Sequence, residues 1–192
     1  MGLDMYLDAK RSFYKANYKI DSDRPEDKIE LEYHDKIRKL FPEIYDSDNL
    51  RYIYVSFEAG YWRKANAIHK WFVDNVQRGK DDCHKHYVER DKLKELRSVC
   101  EKVLDVVKVK KTKINNGYTL GEGGKKIYNK VDGLKITNPA AVAKLLPTED
   151  GFFFGSTDYD EWYLNDVKDT IKILDKALSL PEEWVFDYQS SW

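Results

Sequence analysis

The stretch YIYVSFEAGYWRKANAIHKWFVDNV, residues 52–76, changes its hydrophobic period halfway along, and that change decides the fold class. Tyr52 to Phe57 is a run of aromatic and β-branched residues, which predicts a strand in the middle of a sheet. After Gly60, the residues Trp62, Ala65, His69, Phe72, Val73 and Val76 recur in steps of three and four. That spacing predicts an amphipathic helix ending at Gly79. Strand and helix follow each other here without a regular βαβ repeat along the chain, so the expected class is α+β.

Toward the start, Leu3, Met5 and Leu7 alternate with Asp4 and Tyr6, which predicts a strand, and Phe13 to Ile20 predicts a second. The acidic stretch from Asp21 to Asn49 contains Pro25 and Pro42, with a short helix expected around Ile29 to Phe41. Downstream, Leu93, Leu96, Val99, Cys100, Val103, Leu104 and Val107 form one apolar stripe of a helix beginning near Glu89. Asn138-Pro139 opens a short helix, with Asn as cap and Pro in the first turn. Gly151 to Gly155 brackets three phenylalanines and predicts a buried strand. Thr157-Asp158 is expected to cap a long helix over Tyr159 to Leu178, where Asp160 and Glu161 suit the positive end of the helix dipole. The aromatic tail of Trp184, Phe186, Tyr188 and Trp192 either docks on the body or awaits a partner. The expected architecture is one α+β domain over residues 1–192, a few-stranded sheet on three main helices, with an inserted basic β-hairpin at 108–137.

The 192 residues carry a net charge of −1, but the charge is segregated. Residues 108–137 hold eight lysines against Glu122 and Asp132, whereas residues 148–192 hold eleven acids against three lysines. This dipolar arrangement argues against a DNA mimic, which needs negative charge throughout. Charged residues make up 35% of the chain and no apolar run is long enough to span a bilayer, so no membrane association is expected. The segment Met1 to Leu7 lacks a basic region followed by an apolar one, so a cytoplasmic location is expected. Cys83 and Cys100 are then expected to be free thiols. Within 108–137, Asn115-Asn116-Gly117 predicts the hairpin turn through its tolerance of positive φ. Gly121, Gly123 and Gly124 before Lys125-Lys126 lack the spacing of a phosphate-binding loop and predict a turn.

The residues best placed for chemistry are His69, in phase with Trp62 and Phe72 on an apolar face, and Cys83, just past the end of that helix. Zinc takes thiolate, imidazole and carboxylate ligands in a tetrahedral shell. Asp4 and Glu58, acids at the ends of hydrophobic strand patterns, would complete a Cys83, His69, Asp4 and Glu58 site. A local Cys83-His84-His86 cluster is a lesser variant. The metal-free alternative makes His69 a core histidine and Cys83 a small buried thiol. A catalytic Cys–His pair needs an activated thiolate, for which the sequence offers no mark beyond neighbouring residues. No catalytic residue is assigned. The lysines at 108, 110, 111, 113, 125, 126 and 130 are the expected contacts to an anionic partner.

Three segments, MGLDMYL at 1–7, GYWRKANAIHKWFVDN at 60–75 and GFFFGSTDYDEWY at 151–163, resemble a family of small phage and prophage proteins from Gram-positive bacteria. Some members carry a phosphoglycerate kinase label, which this chain does not support, being too short for a two-lobed kinase. The resemblance covers roughly residues 1–7, 52–107 and 144–178. It implies that 108–137 is an insertion peculiar to this chain. Some proteins of this setting resemble inhibitors of Cas9, so the resemblance implies an anti-CRISPR protein in the host bacterial cytoplasm. Such a protein would bind a host defence protein, Cas9 or its guide-RNA complex, without sequence-specific DNA recognition. Asp4, Glu58, His69 and Cys83 fall within or beside the matching segments, which favours a structural zinc that fixes the fold. The alternative is a small metal-dependent or nucleotide-binding enzyme using His69 and Cys83.

Overall fold

The computed structural model describes residues 2–14, 25–45 and 51–192. Alternating apolar residues build strand β1 (Asp4–Tyr14), in which Met5, Leu7 and Ala9 are fully buried and Asp4, Tyr6 and Asp8 are not. Helices α1 (Pro25–Leu40) and α2 (Pro42–Tyr45) follow, then strand β2 (Tyr52–Arg63) and helix α3 (Asn66–Asn75). A short strand β3 (His86–Val88) leads into helix α4 (Arg90–Val106). Next come the hairpin strands β4 (Val109–Leu120) and β5 (Lys126–Ile136), the short helix α5 (Pro139–Ala143), the long helix α6 (Glu161–Leu178) and strand β6 (Val185–Ser191). The expected α+β class holds. Four strands form one sheet in the order β2-β1-β6-β3, and β4 with β5 forms a second. No helix among the described residues is long and apolar enough to cross a membrane.

Contacts gather the chain into two compact units, residues 1–9 with 58–192, and residues 10–57. The subdivision expected at 108–137 therefore lies within the first unit. In the smaller unit, Phe13, Ile37 and Tyr45 form the core. There Arg11 Nη2 donates to Glu30 Oε2 at 2.7 Å, and the Tyr45 hydroxyl meets His34 Nδ1 at 2.9 Å.

In the larger unit the helical stripes read from the sequence meet at one core. From α4, Leu93, Leu96, Cys100 and Val103 are fully buried against α6, which contributes Tyr163, Leu164, Val167 and Leu174. From α3, Ala67, Ile68, Trp71 and Phe72 join Leu3, Met5 and Leu7. Each fully buried large apolar side chain contributes roughly 1.5–3 kcal/mol against exposure. Gly60 is required where β2 passes this core, since a Cβ there would lie 2.2 Å from Ile173 Cγ2.

Several local expectations are corrected. Among the described residues β2 is an edge strand, and Tyr52, Tyr54, Val55 and Phe57 are exposed, because aromatic and β-branched residues favour extended backbone whether or not it is buried. Trp62 belongs to β2 and not to the helix; Lys64 at φ 59° turns the chain before α3 begins at Asn66. The expected strand at 151–155 is a turn closed by Phe154 N–H donating to the Gly151 carbonyl at 3.1 Å, with Phe152 facing outward. The cap of α6 is Asp160, whose carboxylate accepts from Trp162 N–H at 2.9 Å, two residues beyond the expected Asp158. The second strand expected over Phe13 to Ile20 falls mostly outside the described residues. The aromatic tail is docked, as β6, with Phe186 and Tyr188 fully buried.

Candidate functional site

His69 occupies the buried face of α3, as its spacing predicted, and is fully buried. Its Nδ1 lies 2.8 Å from the hydroxyl of Tyr188 on β6, and Tyr188 stacks on Phe72 with centroids 3.9 Å apart. The Phe154 ring meets the imidazole edge-on at 5.0 Å. On the other side of the ring, Nε2 stands 3.2 Å from Asp81 Oδ1, within ion-pair range but off the line a hydrogen bond needs. Burial holds His69 below its usual pKa, against the opposing pull of Asp81, so the imidazole is neutral near pH 7. Burial also holds the Tyr188 hydroxyl well above its usual range, so it stays protonated.

A cavity of about 490 Å³ opens beside His69 and Asp81. One wall is the loop 149–154, which Asn66 fastens to the start of α3: its side-chain nitrogen donates to the carbonyls of Phe154 and Ser156, and its oxygen accepts from Glu149 N–H. Lys70, one turn along α3, reaches Glu149 at 2.9 Å and Asp74 at 3.4 Å. The Glu149 hydrogen bond raises its ammonium pKa further, so Lys70 is charged. Trp192 covers another side, its indole N–H donating to Asp81 at 3.3 Å.

Of the other residues read as zinc ligands, Asp4 is engaged elsewhere and Glu58 and Cys83 are exposed. Asp4 accepts a hydrogen bond from the Tyr61 hydroxyl and lies 3.8 Å from Arg63 Nε. Glu58 is exposed on β2, and Cys83 is exposed, so the small buried thiol of the metal-free reading does not apply to it. Among the described residues, no three His, Cys, Asp or Glu side chains are grouped to hold a metal ion. The structure therefore does not gather three of Asp4, Glu58, His69 and Cys83 into one group. The local Cys83-His84-His86 variant is organised around a carboxylate. Asp82 Oδ1 lies 2.8 Å from His86 Nε2 and 3.3 Å from His84 Nδ1, and the His86 contact holds Asp82 well below the usual carboxylate range.

The basic segment is a two-stranded ribbon tied down at its base. Thr137 N–H donates to the Lys108 carbonyl at 2.7 Å, Lys108 N–H donates to Asn138 Oδ1 at 2.8 Å, and Ile114 and Ile136 are buried. Asn115 and Leu134 are held by Asp158 and Glu161, so those carboxylates serve as anchors. The Asn116-Gly117 pair is not the hairpin turn. The two residues stand against Asn129 alone, a bulge in which Gly117 takes φ 78°. The turn lies farther out, at Gly121 to Lys125, where glycines were expected to bend the chain. All eight lysines are exposed. Lys113 pairs with Asp132 at 2.9 Å, and Lys126 lies over the Tyr118 ring at 4.5 Å. Among the described residues the other six make no ion pair, and Lys110 stands directly opposite Lys135, a like-charge pairing that costs stability.

Sequence reasoning missed Asp81 and Tyr188 as partners of His69. The tail's alternation put Phe186 and Tyr188 on one face, which is the only signal that pointed to Tyr188. No protein-family model, curated protein or solved structure matches the chain.

Proposed function

We propose that the protein acts by binding an anionic macromolecular partner through the 108–137 ribbon, not by catalysis. The observation that carries this reading is a separate two-stranded ribbon on which, among the described residues, seven of the eight exposed lysines make no ion pair. Like charges held close on a ribbon are costly until an anion neutralises them, so the arrangement favours a partner rich in phosphate or carboxylate. Tyr118, Leu120, Ile127 and Tyr128, all exposed on the outer half, would add apolar contact. In the phage setting that the sequence resemblance implies, the partner is a host defence protein, and Cas9 with its guide RNA is the first to test. The inhibitory effect would come from occupying a surface the nuclease needs, with charge setting the on-rate and orientation.

The test is binding of purified protein to a Cas9–guide RNA complex, with a cleavage assay alongside. Reversing Lys110, Lys111, Lys125 and Lys130 to Glu should weaken binding by about tenfold or more at low salt and flatten its salt dependence. Failure of the wild-type protein to bind or to protect target DNA removes the Cas9 assignment. Binding that is unchanged by the four reversals removes the ribbon as the contact.

A further inference from the structure

We infer that the cavity beside His69 is a receptor for a guanidinium cation. Its lining carries four carboxylates, Asp74, Asp81, Glu149 and Asp150, against the single ammonium of Lys70. Lys70 is already committed to Glu149 and Asp74, which leaves Asp81 and Asp150 without a neighbouring lysine or arginine among the described residues. The walls between these charges are aromatic: Phe152, Phe153, Phe154 and Trp192. Acid groups set among aromatic faces attract organic cations, and a planar, weakly hydrated guanidinium stacks on such faces better than a compact ammonium does.

The second observation is independent of the acids. His69 is fully buried, and its Nε2 has no hydrogen bond, although it is the ring atom on the Asp81 side of the cavity. If the ring proton sits on Nδ1 and is given to Tyr188, then Nε2 and Asp81 Oδ1 are two acceptors 3.2 Å apart. Asp81 Oδ1 already accepts from the Trp192 indole, so in this tautomer Nε2 is the atom left for a donor from outside. If the proton sits on Nε2, the misaligned Asp81 still has lone pairs to offer. The two N–H groups of a guanidinium edge come in a fixed fork and match either case. The volume of about 490 Å³ is that of a small-ligand site and exceeds what one ordered water needs. The ligand is either an arginine side chain of a partner protein or a free guanidino compound. The inference does not depend on the ribbon or on the identity of its partner.

The experiment is an NMR titration of the full chain with N-acetyl-arginine methylamide, against its citrulline counterpart, which keeps the shape and lacks the charge. The arginine probe should move the Trp192 indole and His69 ring signals and bind at least about tenfold more tightly than the citrulline compound. The exposed-side changes Asp81→Asn and Trp192→Ala should each weaken it, with unfolding midpoints recorded to show that both variants are folded. Tighter binding of an arginine-containing peptide than of the free probe assigns the site to a partner's side chain. Equal binding assigns it to a free ligand, and both results uphold the site. Equal affinity for the citrulline compound, or no movement at Trp192 and His69, overturns it.

Discussion

Replacing Asp166 with Asn should change how the protein's stability depends on pH. Asp166 lies on α6 between the buried Tyr163 and Thr170. Burial, reinforced by Asp169 and Asp160, pushes its carboxyl up to about 7 from an ordinary 3.8. With the folded value above the unfolded one, the native state keeps the proton in the window where the unfolded chain has released it. Stability therefore falls as pH rises through that window and stops falling above about 7. Between pH 5 and pH 8 about two pH units of the window are crossed, at about 1.36 kcal/mol each, for a ceiling of about 3 kcal/mol. The side chain is only partly buried, and solvent screening brings the expected loss to about 1–2 kcal/mol. Urea unfolding of wild type and Asp166→Asn at both pH values gives the measurement. Other titrating groups and the change in helix propensity cancel in the double difference. The variant should lose about 1–2 kcal/mol less than wild type between pH 5 and pH 8. Equal losses in the two proteins would refute the reasoning.

Two further outcomes are expected. Tyr188→Phe should destabilise the protein by about 1–3 kcal/mol, because it leaves His69 Nδ1 buried and unpaired while keeping the stack on Phe72; an unchanged denaturation midpoint counts against that bond. A thiol reagent should label Cys83 at once and Cys100 only on unfolding, since Cys83 is exposed and burial pushes the Cys100 thiol up to about 12. Mass spectrometry of the labelled native protein gives one adduct if this holds and two if it does not.

Features set by local periodicity were legible in the sequence. The stripe Leu93, Leu96, Cys100, Val103 fixed the buried face of α4, and the Leu3, Met5, Leu7 alternation fixed that of β1, because both patterns repeat within a few residues. The basic character of residues 108–137 was visible from charge, and its hairpin form from the Asn115-Asn116-Gly117 signal. Register was not. Gly117 showed that a positive φ was needed, but whether that meant a turn or a bulge depended on which β5 residues stood opposite. His69 was legible as buried, yet its bond partner Tyr188 is 119 residues away and its ionic neighbour Asp81 lies in a polar connector without a pattern. Glu58 looked like a strand-end acid awaiting a partner, and the exposure of β2 removed that need.

The place of β6 has a consequence for synthesis. This strand, made after every other element described here, lies between β1, made first, and β3. A nascent chain that has already formed α3, α4 and α6 still exposes two bare strand edges and a vacancy where Phe186 and Tyr188 belong. The four-stranded sheet closes only once residues 185–191 have left the ribosome, so the joining of β1 to β3 through β6 comes after the helices have been made. Deleting residues 185–191 should therefore yield a chain open to proteases instead of a mildly weakened fold.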